Sequence, residues 1–357
     1  MIYFYIFFYM LSVGLMVDMF YSLNNLEIRN GVRKINLAII FIPPLLLAAL
    51  RMDVGTDYNV YLNEKIPGVL NNWNVGIEPL YRLIIKISAQ LGNYQIVFAV
   101  THIIIIYFIV AAILKNSGSI SLSILAFWGT GFFNYSLNIM RQAIVMAIFL
   151  YAVQFIDSNK KKYFILIIIA CFFHTSAIIY LVYFFVRNIK IRAAFSFVLI
   201  GILWFTKDIV RNFIVLVLDY IGKYSQYFGS VLDTNKNGWA FLIVNLIIYG
   251  LFQCVLSNSK SDKLLNRYVF IQYISTLITV LSSVIPNYER LMYLFMIVQV
   301  ISIPVMVKKI NSLSYRIIFI IIIILLYGLL FYRLFIISNI GDTFPYTSIF
   351  NSGDNTF

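Results

Sequence analysis

The chain has 357 residues, of which 62% are hydrophobic and 11% are charged, and its mean hydropathy is +0.90. A soluble domain has roughly half its residues apolar and about a quarter charged, so this composition excludes a sizeable water-soluble domain. Apolar runs of about 15–20 residues recur along the chain, each long enough to cross a hydrocarbon core as a helix. We therefore predict an all-α, polytopic transmembrane bundle that forms one integral-membrane domain over residues 1–357, with about 10–12 membrane segments.

The net charge of +13 would suit a nucleic-acid-binding protein, but the positions of the basic residues indicate membrane topology instead. Six short connections hold 16 of the 27 basic residues and only three acids. They are residues 21–36, 115–119, 157–162, 187–192, 257–267 and 308–316. Basic residues concentrate in cytoplasmic loops, so we place these connections in the cytoplasm and expect no nucleic-acid partner. The exoplasmic segments are then residues 51–79, 134–138, 207–238, 286–290 and 338–357.

The first twenty residues, MIYFYIFFYMLSVGLMVDMF, lack a basic start and a small-residue cleavage site, so we expect a first span rather than a cleaved signal. After the second apolar run comes RMDVGTDYNVY, residues 51–61, which we call the polar cassette. Its glycine, Gly55, would let the backbone turn closely. Further along, GIEPLYRLIIK places Glu78 and Arg82 four residues apart on one helix face, where they could form an ion pair.

The stretch FNYSLNIMRQAIVMAIFLYA predicts a helix with Asn138 as its N-cap and Arg141 in its first turn. The helix dipole favours anions at this end, so an arginine there suits a site in which a phosphate lies beside free backbone N–H groups. The alternative is an interfacial arginine whose side chain extends to the lipid headgroups.

Residues 163–186 are long enough for one span, yet basic connections flank both ends. We predict two half-helices that meet at His174 inside the membrane, a break that is tolerated only where it lines a cavity. The alternative is a single span that violates the positive-inside rule. In residues 207–238 we expect an amphipathic helix on the outer surface, followed by the turn-rich loop VLDTNKNGW. VIPNYERL then places Glu289 and Arg290 at the start of another helix.

Several of these segments together resemble a known family of membrane proteins. LRMDVGTDYNVY, EPLYRLI, NIMRQAIVMAI, KKKYFILIIIACFFHTSAII and the tail motif FPYTS occur in the same order in the EpsG family of Wzy-type polymerases of bacterial surface polysaccharides. The resemblance runs from about residue 37 to residue 347. Its marked positions fall on Arg51, Gly55, Asp57, Tyr61, Glu78, Arg141, His174 and Arg290. The sequence departs from the family pattern at Met52 and Asp53, so no role is carried over to Asp53.

The resemblance implies a GT-C-like fold in the bacterial cytoplasmic membrane and an active site on its exoplasmic side. The implied substrates, both donor and acceptor, are oligosaccharides linked to undecaprenyl diphosphate. The growing glycan would leave its lipid carrier and join the non-reducing end of a new lipid-linked repeat unit. Membrane lipid, a chain-length regulator of the Wzz type and a flippase are the other implied partners.

This chemistry needs fixed cations for the diphosphate and a base for the attacking hydroxyl. The candidate base is Asp57, Glu78 or His174, and the sequence leaves the choice open. No cofactor is expected. Cys171 and Cys254 lie in apolar segments, and no DxD-type carboxylate cluster is present, so we expect neither a disulfide nor a metal site. The residues expected to bind substrate or diphosphate are Arg51, Arg82, Arg141, Arg290, Gly55, Tyr58, Tyr61, Tyr288 and Glu289, with the tyrosines stacking on sugar faces.

Two other functions fit part of the pattern. A ligase of the O-antigen type would use the same arginines with a different acceptor, and its product would be a lipid-A-linked glycan. A flippase or small-solute transporter would spread basic residues along a path open to both sides of the membrane. Here the basic residues outside the cytoplasmic connections cluster at the outer ends of helices, which favours a transferase.

Overall fold

The computed structural model describes residues 1–23, 26–221, 228–229, 238–258 and 262–350, with the backbone alone at residues 21–23, 26–30, 32 and 221. Within these ranges the chain is helical, and its one β-bridge joins Arg51 to Ser348. The predicted all-α class is confirmed. The chain forms two compact units. The first contains Met1–Phe185, Val300–Val305 and Phe331–Phe357, and the second contains Val186–Gln299 and Met306–Leu330.

The first unit contains eleven of the helices that the structure describes. They are α1 (Ile2–Leu23), α2 (Leu26–Leu50), α3 (Asp57–Val60), α4 (Ile66–Leu70), α5 (Pro79–Gln90), α6 (Gln95–Asn116), α7 (Ile120–Gly129), α8 (Phe132–Ser136), α9 (Met140–Ala152), α10 (Lys160–Cys171) and α11 (Ile178–Val186). Most of the residues of α9 are buried on every side, and α6 and α10 pack against it. A helix that is apolar all round belongs in the middle of a bundle, so α9 forms the centre of this unit.

Charged side chains cap the helix ends on either side of the connection between α6 and α7. Asp18 of α1 accepts hydrogen bonds from the backbone N–H groups of Ile120 and Ser121, at 2.8 and 3.0 Å, and from two serine hydroxyls. Arg33 of α2 donates to the carbonyl groups of Ile113 and Ser117 at the end of α6. A carboxylate at an N-terminus and a guanidinium at a C-terminus both complement the helix dipole. Asp18, an acid inside an apolar span, therefore holds α1 on α7.

The segment around His174 forms a re-entrant hairpin. Helix α10 ends at Cys171, a 3₁₀ turn spans Thr175–Ala177, and α11 follows. The hydroxyl of Tyr163, near the start of α10, donates to the carbonyl of Tyr180 in α11 at 2.7 Å. The Phe164 and Phe184 rings also lie 4.6 Å apart, so the two helices meet at the ends that are far from the turn at His174. At 12 residues α10 is about 18 Å long and too short to cross the bilayer. The predicted pair of half-helices is confirmed.

The second unit contains α12 (Ala193–Ile221), α13 (Gly238–Ser257), α14 (Lys263–Val280) and α15 (Tyr288–Met296). Parts of α16 (Gln299–Lys309) and α17 (Leu313–Phe331) complete it. The predicted surface helix within residues 207–238 is not a separate element, because α12 runs from Ala193 through Lys207 to Ile221 without a break. At 29 residues α12 is about 44 Å long and exceeds the hydrocarbon thickness. Most of the predicted turn-rich loop lies outside the described residues.

A chain of buried amide groups joins four helices of the second unit. The Tyr327 hydroxyl donates to Gln299 Oε1, and Gln299 Nε2 donates to Gln272 Oε1, both at 2.8 Å. Gln272 Nε2 donates in turn to Asn245 Oδ1 at 2.9 Å. Buried polar groups cost free energy unless they are hydrogen-bonded. In this network each side chain donates a hydrogen bond to the next one.

Six helices of the described residues are long and apolar enough to cross a membrane, or seven if α15 and α16, bent by 44°, count as one span. Three further apolar helices are shorter, so the expected 10–12 segments are reached only when these are included. The shorter helices include α7, α9 and α11. The chain is a multi-pass membrane protein, and part of its apolar sequence forms half-length helices.

We expect Asp18→Ala to lower the thermal stability of the purified protein. The substitution leaves two N–H groups at the start of α7 without an acceptor, and the loss of an N-cap costs about 1–2 kcal/mol. Asp208→Ala, at an exposed position of α12, is the matched control and should unfold at the wild-type temperature. Equal melting temperatures for Asp18→Ala and the control would contradict the capping role.

Candidate functional site

Gly55 is the turning point of the polar cassette. Its φ angle is +94°, and its N–H donates to the carbonyl of Asp342 at 2.9 Å. A Cβ atom at this position would lie 2.8 Å from Asn138 Oδ1, closer than side chains pack. Both the backbone angle and the lack of space require glycine, so the predicted close turn is confirmed.

The second half of the cassette is helical. The sequence predicts a loop over residues 51–79, but α3 begins at Asp57 and continues through a π-helical turn, Tyr61–Lys65, into α4. Asn138 Oδ1 accepts from the Thr56 hydroxyl at 3.0 Å and from the Asp57 N–H at 3.3 Å, and so caps α3. The predicted role of Asn138 as N-cap of α9 is wrong, since Ile139 holds that position without a side-chain bond.

The C-terminal tail, which the structure describes from residue 338 to residue 350, lies along the cassette. The N–H of Ile349 donates to the carbonyl of Leu50 at 3.0 Å, and the N–H of Thr56 donates to the carbonyl of Gly341 at 3.1 Å. Asn138 Nδ2 donates to the same Gly341 carbonyl at 3.1 Å. The described part of the tail is therefore one wall of the site.

Arg51 is completely buried beneath this layer. Its Nη1 donates to the carbonyl groups of Val54 and Leu137 at 3.1 and 2.5 Å, and its Cζ lies 5.1 Å from the centre of the Phe98 ring. Burial lowers the pKa of this guanidinium to about 10, so it remains charged at neutral pH. A side chain with 0% exposure cannot reach a phosphate without moving. In this structure Arg51 holds the loop through carbonyl groups, and its contact with substrate stays a prediction.

The three tyrosines expected to stack on sugars are all buried. The Tyr58 ring stacks on Phe98 at 4.6 Å, and the Tyr61 hydroxyl accepts from Arg141 Nε at 2.9 Å. Burial raises the pKa of the Tyr61 phenol, so that it stays protonated beside the arginine. Tyr288, in the second unit, is fully buried. All three rings pack inward in this structure, and their stacking on sugars stays a prediction.

Glu78 and Arg141 form a salt bridge at the tip of the hairpin. Arg141 Nη1 donates to Glu78 Oε2 and, at 2.8 Å, to the carbonyl of Gly76. Glu78 Oε1 accepts from the Thr175 N–H at 3.2 Å. The two side chains are 17% and 13% exposed, in contrast to Arg51. Tyr61 holds the other side of the guanidinium, so the pair is oriented and still reachable from outside.

The start of α5 explains why Glu78 points to the hairpin. Glu78 is the N-cap of α5 but makes no side-chain cap bond, and Pro79 follows at the first helical position. The Leu80 N–H, one of the donors left over at a helix start, donates to the carbonyl of Phe172 at 3.1 Å. Arg82 Nε donates to the Ile77 carbonyl, so the predicted pairing of Glu78 with Arg82 is replaced by the pair with Arg141.

His174 is held at the tip of the hairpin by its own turn. Its Nδ1 lies 3.1 Å from the N–H of Ser176 and 2.9 Å from the hydroxyl of the same residue. A backbone N–H can only donate, so Nδ1 carries no proton and the proton of the neutral ring is on Nε2. The adjacent Thr175 N–H contacts Glu78, which places His174 one residue from the salt bridge.

The remaining predicted residues lie elsewhere. Asp57 is half-buried at the start of α3, and its backbone N–H is bound by Asn138. Glu289 and Arg290 occupy the first turn of α15 as predicted, with Arg290 exposed, and belong to the second unit.

The structure therefore brings together Glu78, Arg141 and Tyr61 beside the hairpin residues Thr175 and His174. Sequence reasoning missed Thr175, which acts through its backbone, and the tail. The motif FPYTS was the signal that could have pointed to the tail.

Gly55→Ala should destabilise the protein by more than Gly92→Ala does. Both glycines have positive φ angles, +94° and +72°, but only Gly55 faces another side chain at short distance. Backbone strain costs about 1–3 kcal/mol at either site, and the clash with Asn138 adds to it at Gly55 alone. Thermal unfolding in detergent measures the difference. Equal losses for the two variants would show that the cassette does not pack against Asn138.

His174→Leu should lower the thermal stability of the protein, and His174→Asn should retain most of the wild-type stability. The asparagine oxygen can accept the Ser176 N–H in place of Nδ1, whereas leucine leaves it unpaired, at a cost of about 1 kcal/mol. Thermal unfolding of both variants checks this, and a stable leucine variant would contradict the capping role of the ring.

Comparison with known proteins places this geometry in a family. The profile of the EpsG family matches residues 34–348, which includes the cassette, the hairpin and most of the tail. Comparison with curated proteins and with solved structures finds no significant match. The match covers nearly the whole chain, and the all-helical, multi-pass fold agrees with it. The protein thus belongs to the EpsG family and is a membrane protein of polysaccharide biosynthesis.

Proposed function

We propose that this protein is a polysaccharide polymerase on the outer face of the bacterial cytoplasmic membrane. It transfers a growing glycan from undecaprenyl diphosphate onto the non-reducing end of a lipid-linked repeat unit. Membership of a family of Wzy-type polymerase-like proteins supports this proposal. The observation that carries it is the partly exposed salt bridge between Glu78 and Arg141 at the tip of a membrane hairpin.

The pair supplies the two charges that the reaction needs. An acceptor hydroxyl oxygen attacks the anomeric carbon of the donor sugar, and the bond from that carbon to the phosphate oxygen breaks. The electron pair leaves with the diphosphate, and the hydroxyl proton passes to a carboxylate. Arg141 is the cation for the departing diphosphate, and Glu78 is the base, because both lie at the same accessible point.

Arg141 has a free position for a phosphate oxygen. Its Nε is bound to Tyr61, and its Nη1 to Gly76 and Glu78. Within the described part of the chain, Nη2 makes no hydrogen bond. A diphosphate that binds at Nη2 competes with the Glu78 carboxylate for the same guanidinium. Substrate binding would thereby free Glu78 to accept the proton, which couples activation of the base to arrival of the donor.

His174 is better suited to donate than to accept. Its Nδ1 accepts from the Ser176 N–H, so Nε2–H is the donor of the neutral ring. A hydrogen bond from Nε2–H to a diphosphate oxygen would stabilise the leaving group together with Arg141. This division assigns the base role to Glu78 among the three candidates, with Asp57 orienting the sugar.

The remaining roles rest on the family resemblance. Arg290 and Glu289 are proposed to bind the diphosphate, and Arg82 to support it. A chain-length regulator and a flippase are proposed as partners, since the lipid-linked unit must reach the outer face before it can be polymerised.

We expect purified protein in lipid nanodiscs to convert lipid-linked repeat units into a ladder of longer lipid-linked glycans on a gel. Arg141→Lys should reduce chain extension by roughly 100-fold, because a point charge cannot hold Tyr61, Glu78 and phosphate together. Glu78→Gln should reduce it by roughly 100-fold or more through loss of the base. Lys86→Gln, exposed on the same helix, is the matched control and should keep full activity.

The exchange variant Glu78→Arg with Arg141→Glu separates chemistry from structure. It restores the ion pair and should restore thermal stability, but not chain extension. A wild-type ladder in the exchange variant would show that the pair is structural only. A lipid-A-linked product, with no ladder on undecaprenyl diphosphate, would identify a ligase instead.

A further inference from the structure

A groove of about 720 Å³ lies between the first helix and the C-terminal tail, in the first unit. One wall is formed by α1, and another by the end of the span Leu313–Ile337. The tail closes the third side. The lining residues are Met1, Ile2, Tyr3, Phe335, Ile336, Asn339, Phe344, Pro345, Tyr346 and Ser348.

Apolar atoms make up the larger part of the groove surface, and two of its hydroxyl groups point into the protein. The Tyr3 hydroxyl donates to the carbonyl of Thr343 at 2.9 Å, and the Tyr346 hydroxyl donates to the carbonyl of Leu47 at 3.0 Å. The Asn339 amide bonds to the backbone N–H and carbonyl of Phe344. An apolar chain would cover this apolar part of the surface and remove it from water.

The position of the groove suits a ligand that is apolar at one end and polar at the other. Ile2 and Ile336, each 40% exposed, belong to candidate membrane spans and face outward at the groove. The opposite wall leads to the cassette, because Tyr346 is followed directly by Thr347, whose carbonyl accepts from the Met52 N–H at 3.1 Å. A chain that enters from the bilayer would thus have its head end beside the polar cassette.

We propose that this groove binds the first isoprenoid units of the polyprenyl carrier of the lipid-linked substrate. The inference rests on the proposed function for the identity of the lipid. The volume lies within the range of about 300–1,000 Å³ typical of ligand pockets, so it holds the head end of a long polyprenyl chain while the rest stays in the bilayer. The methyl branches of an isoprenoid pack on the half-buried Phe344 ring, which is backed by the buried Tyr3 ring at 4.6 Å between ring centres.

Photo-crosslinking in nanodiscs tests the groove without any need for catalysis. A photoreactive polyprenyl phosphate should label peptides that contain residues 1–3 and 335–346. Unlabelled undecaprenyl phosphate should compete, and phosphatidylethanolamine should not. Ile336→Trp fills the groove and should lower labelling by about tenfold or more, equivalent to about 1.4 kcal/mol of binding. Ile337→Trp, the adjacent exposed position that does not line the groove, is the matched control and should label as wild type.

Three results would overturn the inference. One is equal labelling of these peptides by a photoreactive phosphatidylethanolamine, which would make the groove a general lipid contact. The others are labelling that undecaprenyl phosphate does not displace, and labelling that Ile336→Trp leaves unchanged.

A second measurement keeps this inference distinct from the polymerase proposal. With repeat units linked to methyl diphosphate, which carries no isoprenoid unit, Ile336→Trp should extend chains as well as wild type. Its defect should appear only with undecaprenyl substrates, as a raised KM. Absence of any ladder, with labelling still displaced by undecaprenyl phosphate, would refute the polymerase and leave the lipid site standing. A ladder together with labelling that undecaprenyl phosphate does not displace would refute the lipid site and leave the polymerase proposal standing.

Discussion

The first unit depends on the burial of one positive charge. Arg51 has no exposed surface, and its guanidinium is bound by the carbonyl groups of the cassette and of Leu137. A buried charge is costly unless it is hydrogen-bonded, so the backbone that supplies those carbonyls must stay in place. That backbone is held in place by the turn at Gly55, by the cap from Asn138 and by the tail that packs over both. Arg141 of the same unit, by contrast, keeps part of its side chain exposed.

The features that sequence predicted are those that local pattern determines. Apolar runs gave the all-helical membrane fold, and the basic connections around residues 163–186 predicted the half-helix pair at His174. Arg141 lies in the first turn of its helix, as the spacing of the motif required. Each of these needs only the residues within a few turns of one another.

What sequence did not predict depends on contacts between distant segments. Glu78 meets Arg141 across 63 residues rather than Arg82 across four, and the tail meets the cassette across almost the whole chain. Tyrosine and arginine at the end of a span have the same sequence pattern whether they face a substrate or the protein interior. Sequence alone therefore does not predict that Arg51, Tyr58 and Tyr61 are buried. Burial, which decides between the two, is a property of the fold and not of the local sequence.

The tail sets an order of events during synthesis. Thr347 binds Met52, and the two residues are 295 positions apart. Ribosomes add about 5–20 residues per second, so the cassette is synthesised roughly 15–60 seconds before the tail that packs against it. Throughout that interval the Arg51 loop lacks one wall, and a nascent chain held in the translocon has an incomplete site. A chain that stalls before its last segment would therefore be inserted without the wall that covers its polar cassette.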